Sequence, residues 1–290
     1  MGLSWPVVLA VLCGAALHAS WNALVKASGD KTVDTALVHF LGGLVVLPLA
    51  LAVGVPHREA WPFLAASMFI HIAYYSALAG AYHHGELGLT YPIMRGFAPL
   101  LVALGSAPFV GEALTPAAWA GVLCIAGGVA LVGLAHPGQA LHHGKALAFA
   151  FANAAIIAGY TFVDGRGVRT EVAAGGAPLR YILWLFVVDG LPFLLLVLLR
   201  RDAAGRRAIA AYARQRWPLA AVGGVASVAS YAIALWAMTR APVASVAALR
   251  ETSVLFASLL GTWLLKERFG WQRALGTGVI VAGVVALRLA

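Results

Sequence analysis

Two arginines lie inside apolar stretches that are long enough to span a membrane: Arg95 and Arg250, 155 residues apart. A charged side chain near the bilayer centre costs about 2.5–3.5 kcal/mol on insertion scales. A guanidinium also binds a carboxylate or a phosphonate through two parallel hydrogen bonds. The two arginines therefore predict a polar path through the bilayer that receives an anionic group. The alternative is that each side chain extends along the helix to the membrane surface.

Glu251 directly follows Arg250. On a continuous helix the two side chains would point about 100° apart, so Glu251 is not an automatic partner of that arginine. Three roles remain open for it: binding a substrate ammonium, carrying a coupling proton, or neutralising Arg95. The other titratable candidates for coupling are His18, His71, Asp164 and Asp189.

Aromatic and polar side chains recur at helical spacing around the arginines. Residues three, four and seven apart share one face of a helix. Such faces offer rings for stacking and a few hydrogen-bonding groups, which a solute site at the membrane midplane requires. The alternative for each aromatic is a place in an interfacial belt or a helix contact. The predicted substrate-binding set is His18, Trp21, Asn22, His71, Tyr75, Tyr91, Arg95, Tyr160, Tyr231, Arg250 and Glu251.

The composition is that of a membrane protein: 62% of the residues are hydrophobic, 11% are charged, and the mean hydropathy is +0.88. The net charge of +9 does not indicate nucleic-acid binding, because the basic residues are spread through short loops between apolar runs. Both cysteines, Cys13 and Cys124, fall within apolar segments, which argues against a disulfide framework or a zinc site. The first apolar run lacks a basic leader and is interpreted as a membrane helix.

Spans of about 20 residues, bounded by turn and charge signals, predict an all-α polytopic membrane protein with ten transmembrane helices. Two longer connections are predicted as loops: a Gly-rich hinge at 164–178 and a basic stretch at 200–217. Pro92 and Pro99 predict a kink near Arg95 in the fourth helix. The predicted helices are 5–26, 33–55, 61–82, 88–110, 115–134, 144–164, 178–199, 217–239, 243–265 and 270–288.

A faint internal repeat relates the two halves of the chain. An offset of 155 residues aligns Arg95 with Arg250, Gly121 with Gly276, Gly128 with Gly283, and Glu112 with Glu267. Each repeat then contains five helices, and because five is odd, the second repeat enters the membrane from the opposite side. The sequence therefore predicts two inverted five-helix repeats, 1–140 and 141–290. Glu112 and Glu267 are predicted to support the N-terminus of the helix that follows each of them.

The chain resembles the drug/metabolite transporter superfamily, in its ten-helix EamA-like branch. The resemblance covers the whole length and rests on the repeat, on the segments GEALTPAAWAGVLCIAGGVALVGL and KERFGWQRALGTGVIVAGVVALRL, and on HASWNALVK in the first helix. It implies secondary transport of small metabolites, often amino acids, from a central cavity. It does not identify the solute, because fold does not fix function.

The resulting hypothesis is a multi-pass carrier in the cell inner membrane that moves amino acids by alternating access, as a monomer or a weak homodimer. A zwitterion matches an arginine for its carboxylate and an acid, Glu251 or Asp164, for its amine. Organic-cation efflux and aminophosphonate transport are the alternatives. The glycines of the fifth and tenth helices are expected to pack within the protein.

No cofactor and no metal are expected. An intramembrane enzyme with His18 or His71 as a base is the non-transporter alternative. The sequence contains neither an H-E-x-x-H pair nor a G-x-S-x-G turn. Separately, the sequence lacks a G-x-x-x-x-G-K-[ST] loop, which argues against transport driven by ATP. The two missing catalytic motifs bear on the enzyme and argue against it.

The orientation in the membrane stays open. With the N-terminus inside, the inner loops and termini hold six Lys and Arg residues, and the outer loops hold twelve. The positive-inside rule therefore favours an outside N-terminus. The resemblance implies that both termini are inside.

Overall fold

The computed structural model describes residues 3–84, 87–133, 144–265 and 270–290; within these ranges, it describes no side chains at 75, 76, 78–91, 133, 261 and 263–265. Over the described part of the chain, all regular structure is helical. The helices are α1 (Trp5–Lys26), α2 (Lys31–Val53), a 3₁₀ turn (Arg58–Ala60), α3 (Trp61–His84), α4 (Leu87–Val110), α5 (Pro116–Gly133), α6 (Gly144–Ala173), α7 (Pro178–Leu199), α8 (Ala203–Met238), α9 (Val243–Arg250), α10 (Ser253–Leu265) and α11 (Trp271–Leu289).

Eight segments of the described chain are long and apolar enough to cross a membrane, and α5 is a shorter apolar helix. Apolar side chains cover much of the outer surface, among them Leu9, Phe69, Leu104 and Val222. Lipid solvates such side chains, and helices satisfy their own backbone groups there. The all-α polytopic prediction is therefore confirmed.

Two predicted loops are helical. The predicted hinge at 164–178 is mostly the last part of α6, which has 30 residues. The predicted loop at 200–217 is mostly the first part of α8, which has 36 residues and begins at Ala203. Its N-cap is Asp202, whose carboxylate accepts a hydrogen bond from the Gly205 amide. Charge and glycine content indicated loops, but both segments continue helices that are anchored by packing. One such contact is the burial of Ile209 in a cluster with α2 and α7.

The ninth membrane segment is broken beside Arg250. α9 ends there, Glu251 and Thr252 form a turn, and α10 starts at Ser253. The turn has short-range bonds, from the Thr252 amide to the Leu249 carbonyl and from the Val254 amide to the Glu251 carbonyl. The Thr252 hydroxyl also donates to the Leu249 carbonyl, as Thr does when it competes with helical bonding. α4, in contrast, continues through Pro92 and Pro99.

Helices from the two halves pack in pairs: α1 on α8, α3 on α6, α2 on α7, and α5 on α11. Four glycines bring α5 and α11 into backbone contact. A Cβ on Gly128 would lie 2.8 Å from the Gly276 carbonyl oxygen, and one on Gly121 would lie 3.0 Å from that of Gly283. The prediction of internal packing is confirmed for these four. A Cβ on Gly127 or Gly278 would have no neighbour within 4 Å, so these two glycines do not contribute to that contact.

The bundle has two ends, which we name by their acidic residues. At the Glu112 end, Glu112 binds Arg169, and Glu171 binds His57 and Arg180. The Arg288 guanidinium over the Trp5 ring places the start of α1 and the end of α11 together. At the Asp34 end, Asp34 accepts hydrogen bonds from Tyr212 and Arg216. The polar site described next lies between the two ends.

Candidate functional site

Arg95 forms a buried ion pair with Glu251. The Arg95 Nε lies 2.7 Å from Glu251 Oε2, and both side chains are about 5% exposed. Arg95 also donates from Nη2 to the Ser253 hydroxyl, over 3.1 Å. The break after α9 makes this possible, because it turns Glu251 and Ser253 toward α4. Of the three roles open for Glu251, the structure shows the neutralisation of Arg95.

Arg250 has a different environment. Its guanidinium carbon lies 4.6 Å above the centre of the Tyr231 ring. This is a cation–π contact, which is strongest where water is excluded. Within the described part of the chain, no hydrogen-bond acceptor contacts the guanidinium, although Glu251 and His18 are near enough to interact with it electrostatically. No described residue therefore accepts a hydrogen bond from its five N–H donors.

Tyr231 connects Arg250 to the buried acid Asp164. Its hydroxyl donates to Asp164 Oδ2 over 2.6 Å, and the Tyr181 hydroxyl donates to Oδ1 over 3.3 Å. Gly167, one turn further along α6, has no side chain that would collide with the Tyr181 ring. The two tyrosines hold the Asp164 carboxylate in one orientation, and the Ser67 hydroxyl interacts with it as well.

A stack of rings continues from Tyr231 to α3. Tyr160 meets Tyr231 edge-on at 6.0 Å and lies flat against His71 at 4.7 Å. Tyr74 adds a second edge-on contact to Tyr160. The His71 Nδ1 lies 2.9 Å from the Ser67 carbonyl oxygen and 3.9 Å from Asp189 Oδ1. Rings from α8, α6 and α3 thus form one continuous surface, with an arginine at one end and a histidine at the other.

The predicted residues of α1 lie beside this surface. His18 interacts electrostatically with both Arg95 and Arg250, which places it near the ion pair. Trp21 contacts His18 edge-on at 5.3 Å and His39 at 5.8 Å. The Asn22 amide donates to the His18 carbonyl of its own helix. Trp21 and Asn22 therefore adjoin the site without contacting the arginines.

Several residues that contact Arg95, Asp164 or His71 were not in the predicted substrate-binding set. Asp164 was predicted as a titratable candidate and as a possible partner of the substrate amine, Asp189 was predicted only as a titratable candidate, and Tyr181, Ser67 and Ser253 were not predicted at all. A usable signal was present in the polar run from Arg250 to Ser253 inside an apolar segment, because Thr and Ser compete with helical bonding. Two predicted side chains, Tyr75 and Tyr91, lie outside the described residues.

The predicted role of Glu112 at the following helix is wrong. Its Oε2 accepts from the Val243 amide at the start of α9, and its Oε1 lies 2.6 Å from Arg169 Nη2. Arg169 in turn donates to the carbonyls of Met238 and Ala241. Glu112 therefore caps a helix of the other half, because pairing across the bundle brings α9 close to the turn after α4. Glu267 lies outside the described residues.

Two cavities open away from this site. One, of about 480 Å³, lies at the Glu112 end between α4 and α6 and is lined by Phe109, Arg166 and Thr170. The other, of about 490 Å³, is an apolar groove between α3 and α7. Neither contains the buried charges. Over the described ranges, no three His, Cys, Asp or Glu side chains converge as a metal site would require.

Comparisons with known proteins place the fold. A sequence model described as the EamA-like transporter family matches residues 144–289. A solved structure described only as "Crystal structure of protein" has a TM-score of 0.73 and 23% sequence identity, and the similarity covers 98% of each chain. It shows that the fold extends over the whole chain. No curated protein matches the sequence.

Proposed function

The chain belongs to the EamA-like transporter family, and on that premise we propose that it carries amino acids across the cell inner membrane by alternating access. Family membership supports a membrane transporter of small molecules and argues against an enzyme. The observation that carries the substrate class is the Arg250 guanidinium, which lies on the Tyr231 ring without a hydrogen-bond acceptor from the described residues. A carboxylate would supply that acceptor.

The anion site combines two elements. A guanidinium binds a carboxylate through paired, charge-assisted hydrogen bonds. The start of α10, three residues after Arg250, adds the positive end of a helix dipole, and broken membrane helices present such ends to anionic substrate groups in other transporters. Arg95 is less suited to this role, because Glu251 and Ser253 already occupy it.

The amine site is assigned to Asp164. Of the two acids considered, Glu251 is paired with Arg95, whereas Asp164 is bound by hydroxyl groups and by no arginine or lysine of the described residues. Tyr231 contacts both sites, with Arg250 over its ring and Asp164 at its hydroxyl. An amino acid that lies along Tyr231 would bind Arg250 through its carboxylate and Asp164 through its ammonium. Its side chain would contact Tyr160.

The mechanism rests on the inverted repeat. Two observations support that repeat. The α5–α11 contact pairs Gly121 with Gly283 and Gly128 with Gly276. The repeat aligns Gly121 with Gly276 and Gly128 with Gly283, so replacing each glycine by its aligned counterpart converts one pair into the other. The same exchange converts the α1–α8 pair into the α3–α6 pair. Two similar halves that are related by a pseudo-two-fold axis can exchange conformations, so that the cavity opens first to one side of the membrane and then to the other.

The test measures substrate flux and binding. Purified protein in liposomes is given a panel of amino acids, each alongside the amine that lacks its carboxylate and the acid that lacks its amine. We expect the amino acids to be carried and Arg250→Gln to lower flux about 100-fold, because about 3 kcal/mol of charge-assisted hydrogen bonding is lost. Arg240→Gln is the control, since Arg240 lies on Trp236 outside the site. Unchanged flux in Arg250→Gln would refute the assignment.

Organic-cation export is the second candidate. The rings of Tyr231, Tyr160 and Tyr74, with Asp164 beside them, have the composition of a cation site. The same panel separates the two: transport of the decarboxylated amines alone would favour organic cations. Transport of aminophosphonates together with amino acids would keep the Arg250 site and widen its substrate class.

A further inference from the structure

We propose that the apolar groove between α3 and α7 binds an acyl chain of one anionic phospholipid, and that arginines at the end of α7 bind the phosphate of that lipid. This site lies apart from the proposed substrate site, and the proposal does not depend on which solute is carried. Three observations carry it: the lining of the groove, the length and depth of the groove along α7, and the basic residues at the point where it ends.

The lining of the groove is suited to hydrocarbon. α3 contributes Ile72, and α7 contributes seven apolar residues between Val187 and Leu199, around a volume of about 490 Å³. Leu191 and Leu195 are nearly half exposed along this face, and Leu199 is 73% exposed. An apolar cavity does not hold water. Within a membrane an acyl chain fills it, because the lining side chains then regain contact with neighbouring atoms.

The groove occupies one leaflet of the membrane. α7 has 22 residues, or about 33 Å at a rise of 1.5 Å per residue, so it crosses a hydrocarbon layer of about 30 Å. The start of α7 lies at the Glu112 end, where Arg180 binds Glu171, and Leu199 therefore lies at the Asp34 end. The distance from Val187 to Leu199 is about 18 Å along the helix. This is close to half the hydrocarbon thickness, which one acyl chain spans.

The face of α7 that lines the groove continues into a basic residue. Pro192 and Leu196 line the groove, and Arg200 follows Leu196 at the same interval of four residues, which keeps all three on one face of the helix. Arg200 is the C-cap of α7 and is exposed. No described residue makes a hydrogen bond or an ion pair with its guanidinium. Arginines near the ends of membrane helices extend to the headgroup layer, so this guanidinium lies at the level of the lipid phosphates.

Two further arginines lie beside Arg200. Arg201 is the next residue, and Arg206 donates from Nε to the Leu198 carbonyl, which holds the start of α8 against the end of α7. The acid of this segment, Asp202, is bound by a backbone amide of α8 and pairs with no arginine of the described residues. Guanidinium groups bind phosphate through paired hydrogen bonds, and basic pockets beside membrane helices bind anionic headgroups. Three such groups thus meet the open end of the groove.

Charge selects an anionic phospholipid over the other possible occupants of the groove. A zwitterionic lipid would bring its own cationic group beside the three arginines. A second copy of the chain, related by a two-fold axis along the membrane normal, would place its own arginines against them, and like charges that face each other across an interface are costly. A lipid with a phosphate and no cation fits both the groove and its end.

The first experiment locates the lipid. The full chain is placed in phosphatidylcholine nanodiscs that contain a small fraction of phosphatidylglycerol with a photoreactive diazirine, either at the end of one acyl chain or near its ester. Labelled peptides are identified by mass spectrometry after illumination. We expect the terminal probe to label the chain between Val187 and Leu191, and the ester probe to label it between Leu195 and Leu199. Labelling spread evenly over the lipid-facing helices, or equal labelling by a phosphatidylcholine probe, would overturn the proposal.

The second experiment measures the contribution of the arginines. Native mass spectrometry of the full chain in detergent gives the dissociation constant of phosphatidylglycerol. Arg200→Gln should weaken binding about 5-fold, and Arg200→Gln with Arg201→Gln about 30-fold, because an arginine near anionic lipid contributes about 1 kcal/mol. The control is Arg214→Gln, which removes a charge at the same end of the bundle, about 12 Å along α8 from Arg206. An equal effect of Arg214→Gln and Arg200→Gln would contradict a localised site.

The same measurement tests the groove. Leu195→Trp fills it from an exposed position and should weaken phosphatidylglycerol binding at least 10-fold, and water-soluble glycerol phosphate should not displace the lipid at equal concentration. Binding of glycerol phosphate as tight as that of the lipid would mean an anion site without a chain. A dimer that Leu195→Trp dissociates would assign the groove to a second copy. Either result would overturn the proposal, and neither depends on the transported solute.

Discussion

Arg95 and Arg250 lie 155 residues apart, at positions that the proposed repeat would align, but their guanidinium groups have different partners. Arg95 is bound by Glu251 and by Ser253. Arg250 lies on the Tyr231 ring, and no acceptor from the described residues binds it. The difference arises from the break between α9 and α10, which has no counterpart in α4.

Arg95 and Arg250 illustrate two uses of a charge inside the helix bundle. A buried ion pair is costly to break, because removal of one partner leaves the other uncompensated. A partly buried cation on an aromatic ring, such as Arg250, keeps its hydrogen-bond donors. The Arg95 region therefore stabilises the junction of α4 with the broken segment, and the Arg250 region is the proposed place for the ligand. Stability and binding should respond to different substitutions.

The largest expected effect on stability is at the ion pair. Glu251→Gln leaves the Arg95 charge without its carboxylate and should lower the free energy of unfolding by about 3–5 kcal/mol. Arg250→Gln removes a cation–π contact of about 1 kcal/mol and should change stability by no more than that. Reversible unfolding in mixed detergent micelles measures both. Equal losses in the two variants would contradict the difference between the arginines.

Tyr231 should show an intermediate effect that divides into two parts. Tyr231→Phe removes the hydroxyl bond to Asp164 and should lower the free energy of unfolding by about 1.5–3 kcal/mol, the value of a hydrogen bond to a charged group. Tyr231→Leu also removes the ring under Arg250, so amino-acid binding should weaken about threefold relative to Tyr231→Phe. Calorimetric titration gives the two dissociation constants. Equal constants would show that the ring does not position Arg250.

The smallest effect is expected at the Asp34 end. Arg216 lies 3.3 Å from Asp34, and its side chain is 27% exposed. The Asp34 carboxylate is buried, but solvent reaches the guanidinium and screens the pair, so we expect a loss of about 1 kcal/mol. Asp34 also keeps the hydroxyl bond from Tyr212 when Arg216→Gln is made. A loss as large as that of Glu251→Gln, measured in the same micelles, would mean that depth in the bundle does not distinguish the two pairs.

Hydropathy predicted the membrane segments well, because a helix that faces lipid needs a long run of apolar side chains and must satisfy its own backbone groups. α1, α7 and α4 lie within one residue of their predicted bounds. The same reasoning placed loops at 164–178 and 200–217, where α6 and α8 continue beyond the length a bilayer needs. Glycine and charge do not end a helix that packs on its neighbours, as Gly167 shows beside Tyr181.

The site was less predictable, because partners depend on how the helices pair. Helical spacing identified Arg95, Tyr160, Tyr231 and Arg250, but it could not show that Glu251 turns toward α4. A continuous helix was assumed for 243–265, and the turn at Glu251 changes the direction of every side chain after it. Asp164 was recognised as titratable, yet its role depends on two tyrosines from other helices.

The short helix α9 has a further consequence. Its residues from Val243 to Leu249 are all buried, and it packs against α1, α4, α5, α6 and α8. A helix that touches lipid tilts or shifts when the hydrocarbon layer becomes thicker or thinner. α9 is surrounded by protein, so the depth of Arg250 is set by its neighbouring helices. Membranes of different thickness should therefore present the Arg250 guanidinium in the same place.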